Sequence, residues 1–312
     1  MVGEDKKNNA QSRADEAAQF SSQGPSSSTQ AHPYSSETVY FATHHEKDRL
    51  ARTEFLKLGM NVQAIDIDSD RLGTFSGERE RPGPIREVLR AKIDMGRVIQ
   101  PEGRFFLASE GSFIPHPQIG FIRSNYESLM FVDTKESTEV FIEHISTRVV
   151  HEEFEAKDSS SASLDEFLTR NQFPSHALIV RPKGLFNSIY KGVQSRDSLE
   201  KAVNTCIEAS AEHTAILVTD LRAHLNPTRQ AVITETVEKL CAALNSFCPE
   251  CSSPGYRIVN SLPGLPCQVC GEPSSQSKDV IFECPQCMLT RVEPRPDGIT
   301  SISSEECAYC NP

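Results

Sequence analysis

The chain contains 312 residues, carries a net charge of −11 and is 38% hydrophobic, so it is long enough for two or three units but lean for a fully packed chain. The acidic balance argues against a broad nucleic-acid or anionic-membrane surface. No apolar run reaches the roughly 18–20 residues that span a bilayer, and the acidic N-terminus resembles neither a secretory signal nor a transit peptide. These features predict a soluble, cytoplasmic protein without membrane contact.

The polar composition of residues 1–37 predicts a disordered tail. This segment consists mostly of Ser, Gln, Asn and charged residues, with almost no large apolar side chains. Such a segment buries too little surface to offset the entropy that is lost on ordering. We therefore place the start of the structured region at Thr38.

A β-α-β pattern opens the structured region. Residues 38–43 form a short apolar run that is typical of a strand, 46–58 have helical spacing of apolar residues, and 61–65 alternate like a second strand. After a polar turn at 66–83, Pro84 occupies the first-turn position of a further helix. The apolar face of that helix is predicted at Ile85, Val88, Leu89 and Ile93.

Further strand and helix patterns extend this organisation to residue 245. A Ser-rich break suggests a sub-boundary near 157–163, and Asn226-Pro227 is a typical start for the last helix. The alternation predicts an α/β domain over 38–245, a mixed sheet with flanking helices. The remaining strands are predicted at 104–108, 129–132, 140–145, 177–180 and 215–219, and the remaining helices at 164–170, 198–211 and 227–245.

Eight of the ten cysteines form four Cys-x-x-Cys pairs in the region 246–312. Without a secretory context such pairs indicate thiolate metal ligands, and two pairs complete one tetrahedral Cys₄ site. The spacing therefore predicts a tandem zinc-ribbon region with two structural zinc ions, and an iron–sulfur cluster is the rival that uses the same ligands. Cys206 and Cys241 lie in helical patterns and are predicted to be core residues. The eight ligands are Cys248, Cys251, Cys267, Cys270, Cys284, Cys287, Cys307 and Cys310.

Two pairings of the cysteine pairs are open at this point. The simplest is sequential, with the first and second pairs on one ion and the third and fourth pairs on the other. An interleaved arrangement joins the first pair to the third and the second to the fourth. Closed Cys₄ sites have no open position for a substrate, so we expect both ions to be structural.

The net charge of the ribbon region indicates which class of partner it can bind. Residues 246–312 contain four basic and eight acidic residues, whereas phosphate contacts in nucleic-acid binding require positive charge. We expect a protein partner, or packing on the α/β domain, rather than nucleic acid. Nucleic-acid binding would require a basic face built from Arg71, Arg79, Arg81, Arg86, Arg90 and Arg97.

A polar segment follows the first predicted strand and opens the first helix. It runs from Thr43 through His44 to Lys47. The free N–H groups and positive dipole of a helix N-terminus, together with the lysine, can bind an anion. The alternative is a capped helix with a solvated lysine.

Two further polar segments lie at predicted strand ends. The carboxylates of Asp68, Asp70 and Glu110, the last within a Ser-Glu-Gly step, can bind Mg²⁺, although such segments are also ordinary turn chemistry. Near the start of the last helix, Arg222, His224 and Arg229 form a second candidate anion site. There the alternative is that Asp220 and Arg222 form a structural pair while Asn226 caps the helix.

Several sequence strings resemble a mainly bacterial domain-of-unknown-function family that combines an α/β domain with a cysteine-rich C-terminal end. The strings include FATHHEK, DSDRLGTFSGE, ASEGSFIPHP, TDLRAHLNPTR and LPGLPCQVCG. The resemblance covers about 39–312 and implies an architecture, because that family has no established activity to transfer.

A second, short similarity is to house-cleaning nucleoside triphosphate pyrophosphatases. In that family a T-N-x-x-K-like loop holds the substrate and a later acidic residue beside Gly helps to bind Mg²⁺. Thr43 to Lys47 has the same spacing, and Glu110 matches the acidic step, but His44 stands where the family has Asn. This departure lies at the position that contacts the base or phosphate in that family.

We therefore predict a phosphate- or nucleotide-type ligand site in the α/β domain. If the protein is an enzyme, it is a Mg²⁺-dependent phosphoanhydride hydrolase in which Lys47 and Arg222 hold the anion. Glu110 and Asp68 would bind Mg²⁺, and His44 would contact the substrate. The alternative is a non-catalytic adaptor that binds another protein through its zinc ribbons.

Overall fold

The computed structural model describes residues 31–43, 46–72, 83–117, 119–185 and 189–312, without the side chains of Asp70 and Arg71. Tyr34–Pro312 forms one compact unit. Most of the predicted tail, His44 and the segment 73–82 lie outside the described residues. Tyr34 is buried, with its ring centroid 4.6 Å from that of Phe105, so packing begins four residues before the predicted start at Thr38.

The first sheet contains five strands in the order β2-β1-β3-β4-β5. Strand β1 is parallel to both β2 and β3, whereas β3, β4 and β5 are successively antiparallel. Strand β1 ends at Ala42 opposite Ala108, and β3 continues for seven more residues. The strands are β1 Thr38–Ala42, β2 Asn61–Ile65, β3 Phe105–Pro115, β4 Arg123–Asp133 and β5 Thr138–Ser146.

Helices cover both faces of this sheet. Helix α1 (Asp48–Lys57) and helix α5 (Pro227–Leu244) pack on one face, with Phe55 and Val237 buried against the strands. Helix α2 (Ile85–Ile99) packs on the other face through the predicted residues Leu89 and Ile93. Each helix buries an apolar stripe, as expected for a sheet with two covered faces.

A second sheet is inserted between β5 and α5. Its four strands are antiparallel in the order β6-β9-β7-β8, and helices α3 (Ala162–Arg170) and α4 (Arg196–Ala209) pack on it. The chain changes sheets at 147–152, ahead of the predicted break at 157–163. Strands β6 and β8 have only four residues each, too few for a clear alternating pattern. The strands are β6 Glu153–Ala156, β7 Leu178–Pro182, β8 Tyr190–Val193 and β9 Ala215–Thr219.

The cysteine-rich region forms a three-stranded antiparallel sheet against the edge strand of the first sheet. Its strands are β10 Arg257–Pro263, β11 Ser277–Glu283 and β12 Thr290–Pro294. Arg257 donates from Nε to the carbonyl of Phe141 on β5 at 3.3 Å. A side chain at Gly255 would collide with Val140 and Pro285, so its absence permits close docking. The region therefore contacts the first sheet at its edge strand.

The predicted fold class is confirmed. The structure is a mixed α/β fold with flanking helices, followed by a region whose cysteine clusters are compatible with two zinc-ribbon units. Among the described helices, none combines the length and the apolar character needed to cross a membrane.

Candidate functional site

The eight Cys-x-x-Cys residues form two quartets, and their pairing is interleaved. One quartet, here called the proximal quartet, contains Cys248, Cys251, Cys284 and Cys287, and the distal quartet contains Cys267, Cys270, Cys307 and Cys310. Within each quartet all sulfur atoms lie within 4.8 Å of one another. The sequential pairing, the simplest prediction from spacing, is therefore wrong.

Antiparallel pairing of the ribbon strands explains the interleaved arrangement. The first cysteine pair precedes β10 and the third directly follows β11, and Arg257 at the start of β10 pairs with Glu283 at the end of β11. Both pairs therefore lie at one end of the ribbon. The second pair follows β10 at the other end, to which β12 returns the chain, and Cys267 forms a bridge with Ile302 there.

The spacing of the sulfur atoms fits a tetrahedral metal ion. The Sγ–Sγ distances are 3.7 Å for Cys248–Cys287, 3.6 Å for Cys251–Cys284, 3.9 Å for Cys267–Cys310 and 3.7 Å for Cys270–Cys307. A tetrahedron with Zn–S bonds of ~2.3 Å has sulfur separations of about 3.8 Å. Both quartets could therefore hold a metal ion.

Local hydrogen bonds prepare some of these thiols for ionisation, and burial opposes it in others. The side chain and backbone of Ser253 lower the pKa of Cys251 to about 6, and backbone N–H groups of Cys270 and Val269 lower that of Cys267 to about 7. Burial raises the pKa of Cys284 to about 12. Four thiolates at this spacing repel one another, so a cation is needed to ionise each quartet fully.

The two remaining cysteines are core residues, as predicted. Burial raises the pKa of Cys206 to about 11 and that of Cys241 to about 12, which keeps both thiols protonated at neutral pH.

A group of buried polar side chains lies where β1 ends and β3 continues. We call it the strand-end cluster, because this is the edge at which ligands bind to open α/β sheets. Three of its six members were predicted to be site residues, and the other three were not. The members are Lys47, Glu110 and Arg229, which were predicted, and Lys92, Ser109 and Glu127, which were not.

Lys47 enters the cluster from the residue that precedes helix α1. Its ammonium donates to the Ser109 hydroxyl at 2.9 Å, and its side chain is only 7% exposed. Burial, reinforced by the charge of Arg229, lowers the pKa of Lys47 to about 7. The alternative reading of this lysine as a solvated side chain is therefore wrong.

Glu110 points to the opposite face of β3, toward helix α2. Its carboxylate accepts from Lys92 Nζ at 2.5 Å, and the same ammonium donates to the carbonyl of Ser109 at 3.0 Å. Lys92 lies on the buried stripe formed by Val88, Leu89 and Ile93. A charged residue within an apolar stripe is the signal by which the sequence could have identified it.

Arg229 is fixed in the first turn of α5. It is 1% exposed, donates from Nε to Glu127 at 2.6 Å and from Nη1 to the carbonyl of Leu221 at 2.6 Å. A side chain at Gly111 would overlap both the guanidinium and the Glu127 carboxylate. Glu127 lies two residues before the inward-facing Leu129 on β4 and therefore on the same face of the strand, which is the signal by which the sequence could have identified it.

The other predicted site residues lie outside this cluster or make structural contacts. Arg222 pairs with Asp220 at 2.6 Å, and Asn226 caps α5 by accepting from the N–H of Arg229, as the alternative reading predicted. Thr43 is buried and its N–H donates to the carbonyl of Ile65. Asp68 is exposed after β2, and His44 lies outside the described residues.

His224 contributes to a cavity of about 170 Å³ between the starts of helices α1 and α5. These two helix starts also deliver Lys47 and Arg229 to the strand-end cluster. The cavity is lined by Glu46, Arg49, Leu50, Ala223, His224 and Gln230.

Apart from the two cysteine quartets, the described residues contain no cluster that matches the predicted Mg²⁺ site. Among them, the only groups of three or more potential ligands are the two cysteine quartets. Glu110, which was predicted to bind Mg²⁺, is paired with Lys92 instead.

Three arginines of the basic face that nucleic-acid binding would require are described, and they are engaged in other contacts. Arg86 stacks over the ring of Phe141, Arg90 pairs with Glu139, and Arg97 pairs with Asp94. The side chains of the other three, Arg71, Arg79 and Arg81, lie outside the described part of the chain.

Comparisons with known proteins identify a family but no activity. The family model described as "Domain of unknown function (DUF6671)" matches residues 100–312, which agrees with the resemblance to a domain-of-unknown-function family. No curated protein matches the chain. The crystal structure of protein VC0702 from Vibrio cholerae matches with 9% identity and a TM-score of 0.29, over 65% of this chain and 91% of that one. None of these matches bears on the similarity to pyrophosphatases, which stays a prediction.

Proposed function

We propose that this chain, which belongs to the DUF6671 family, is a zinc-stabilised α/β protein that binds a phosphate-bearing small molecule at the strand-end cluster. The single observation that carries the proposal is the buried ammonium of Lys47, which has no carboxylate partner among the described residues. If the protein is an enzyme, the reaction that fits this ligand is the hydrolysis of a phosphoanhydride or phosphoester.

The charges of the cluster support an anionic ligand. Two carboxylates face three cations, and each carboxylate is already paired, Glu110 with Lys92 and Glu127 with Arg229. Lys47 is left as the surplus positive charge. A buried charge without a counterion is unfavourable, so an anion that reaches Lys47 would be stabilised.

The position of the cluster supports a phosphate group rather than a peptide or a nucleic acid. It lies at the carboxyl ends of parallel strands and beside the starts of two helices, where backbone N–H groups and helix dipoles favour phosphate. A cavity of about 170 Å³ lies between the same two helix starts and can hold part of a small molecule. A Mg²⁺ ion is not part of the proposal, because Lys92 already neutralises Glu110.

Thermal-shift measurements with phosphate, pyrophosphate and a nucleotide panel test this function. At a concentration about 100 times Kd, a ligand that binds only the folded chain stabilises it by about 2.7 kcal/mol. We expect a rise in melting temperature for the wild-type chain at pH 6.5 that Mg²⁺ does not increase, and none for Lys47→Met. The matched control is Lys57→Met, at the exposed end of the same helix, where the lysine pairs with Glu54.

Two results would contradict the proposed ligand site. One is the absence of a thermal shift with every phosphorylated ligand. The other is an equal shift in Lys47→Met and in the wild-type chain.

We infer that the metal in both quartets is zinc. The sulfur separations match a Cys₄ zinc tetrahedron, and the Glu250, Val269 and Gln286 N–H groups each approach a cysteine sulfur at 3.4 Å. When bound, zinc would supply folding free energy and no open coordination position. Elemental analysis is expected to find two zinc ions per chain, whereas iron with visible absorption would identify iron–sulfur clusters instead.

A second candidate function, protein binding through the ribbons, rests on exposed apolar side chains in the cysteine turns. Val269 is 69% exposed and Tyr309 is 75% exposed, and both flank the distal quartet. Large exposed apolar groups of this kind are typical of protein contacts. An affinity-capture experiment in which Val269→Ser with Tyr309→Ser abolishes recovery of a defined partner would support it, and unchanged recovery would remove it.

A further inference from the structure

The strand-end cluster contains a serine hydroxyl that is hydrogen-bonded to a lysine amine. Lys47 Nζ lies 2.9 Å from Ser109 Oγ, and both side chains are buried. Ser109 is the first residue of β3 beyond the last pairing with β1. Its carbonyl accepts from Lys92 at 3.0 Å, so its backbone is held from the other face of the sheet.

The groups around Lys47 favour its neutral form. Arg229 from α5 and Lys92 from α2 are positive, whereas Glu127 from β4 and Glu110 from β3 are negative and already paired with those two cations. Together with burial, this environment lowers the pKa of Lys47 to about 7. A neutral amine within hydrogen-bond reach of a hydroxyl is the arrangement that activates a serine nucleophile.

We propose that Ser109 is a nucleophile and Lys47 its general base, acting on the phosphorus atom of the ligand bound at the strand-end cluster. This inference rests on the proposed function and adds a reaction to it. The expected substrate class is a phosphoester or phosphoanhydride with a good leaving group.

The reaction has two balanced steps. In the first, Lys47 Nζ takes the Ser109 proton while Oγ bonds to phosphorus, and the bond to the leaving oxygen breaks as that oxygen takes the proton from Lys47. In the second, a water molecule gives its proton to Lys47 and attacks the phosphoserine. Phosphate leaves, and Ser109 Oγ takes the proton back.

Covalent trapping tests this reaction directly. The full chain is incubated with p-nitrophenyl phosphate or acetyl phosphate, quenched in acid and analysed by intact and peptide mass spectrometry. We expect one added phosphoryl group on Ser109 in the wild-type chain. Ser109→Ala should lose the adduct and lower turnover by about 10²-fold or more, which is typical of the loss of acid–base or nucleophilic groups.

Two variants separate catalysis from a structural role. Lys47→Arg keeps the positive charge but cannot act as a base, so it should retain phosphate binding and lose the adduct. Ser112→Ala, on the same strand and outside the cluster, should label and turn over like the wild-type chain.

The pH dependence of kcat/KM distinguishes a general base from a lysine that only forms a structural hydrogen bond. Activity requires neutral Lys47, so kcat/KM should rise with pH through about 7, the pKa of the free protein. A bound phosphate favours the charged amine, so the rise in kcat should occur at higher pH than the rise in kcat/KM.

The outcomes distinguish this inference from the proposed function. Phosphate-dependent thermal stabilisation without any adduct on Ser109 overturns the serine–lysine reaction and leaves the ligand site intact. Full labelling of Lys47→Arg, or undiminished turnover by Ser109→Ala, overturns it as well. The absence of both stabilisation and labelling removes the proposed ligand together with the reaction.

Discussion

Lys47 shows how one buried charge can make stability depend on pH. Its pKa is lowered from 10.5 to about 7 by burial and by Arg229, so the folded chain binds this proton less tightly than the unfolded chain. The charged form therefore destabilises the fold. This destabilisation is complete below about pH 7 and declines as pH rises from about 7 to 10.5.

Substitution of this lysine gives the first prediction. Lys47→Met should stabilise the protein at pH 6.5 by an amount on the order of a few kcal/mol, because no ammonium is buried. The gain should shrink steadily between pH 7 and 10.5 in urea unfolding. A gain that is the same at all pH values would show that the lysine is not the source of the effect.

Asn125 gives a second prediction at the scale of a residue. This side chain on β4 is fully buried, and neither its amide nitrogen nor its amide oxygen has a hydrogen-bond partner among the described residues. A buried polar group without a partner costs about 1–3 kcal/mol. Asn125→Leu, which has a similar volume, should therefore raise the melting temperature by a few degrees, and a clear decrease would mean that the amide has a partner in solution.

At the scale of elements, the two metal sites have different neighbours. The proximal quartet follows directly on helix α5 and includes the turn whose Pro285 packs against Gly255, next to Val140 on β5. The distal quartet packs on Leu265 and Ile302, within its own region. Loss of the proximal ion should therefore affect the docking of the ribbon on the first sheet, whereas loss of the distal ion should not.

A matched pair of cysteine variants tests this difference. Cys251→Ser and Cys270→Ser each remove one exposed ligand and should each retain about one zinc ion per chain. Cys251→Ser should also lower the main unfolding transition by several degrees, whereas Cys270→Ser should leave it near the wild-type value. Equal destabilisation by the two variants would show that the sites are equivalent.

At the scale of the whole molecule, helices and strands with strong periodicity were predictable. The strand at 61–65, the strand at 215–219 and the start of α5 at Pro227 agree with the structure. The insertion of the second sheet was not predictable, because it depends on β6 pairing with β9 across about 60 residues. Such pairing is set by long-range contacts that leave no local pattern.

In the candidate ligand site, too, some residues were predicted from the sequence and others were not. Lys47, Glu110 and Arg229 were predicted as site residues because each belongs to a polar segment near the predicted end of an element. Lys92 and Glu127 were not found, because each occupies an inward position of an ordinary helix or strand. Only the packed sheet brings them beside the other three. Arg222 pairs with Asp220, two residues away, as the alternative reading predicted.

The cysteine ligands show what the sequence determines and what only the folded structure determines. Four Cys-x-x-Cys pairs are a local covalent pattern, so the sequence was sufficient to identify all eight ligands and the presence of two sites. Which pairs share an ion depends on which ends of the ribbon meet, and antiparallel pairing of β10, β11 and β12 brings the first pair to the third and the second to the fourth. Which residues are metal ligands follows from local chemistry. Which of them share an ion follows from strand direction, which exists only in the folded chain.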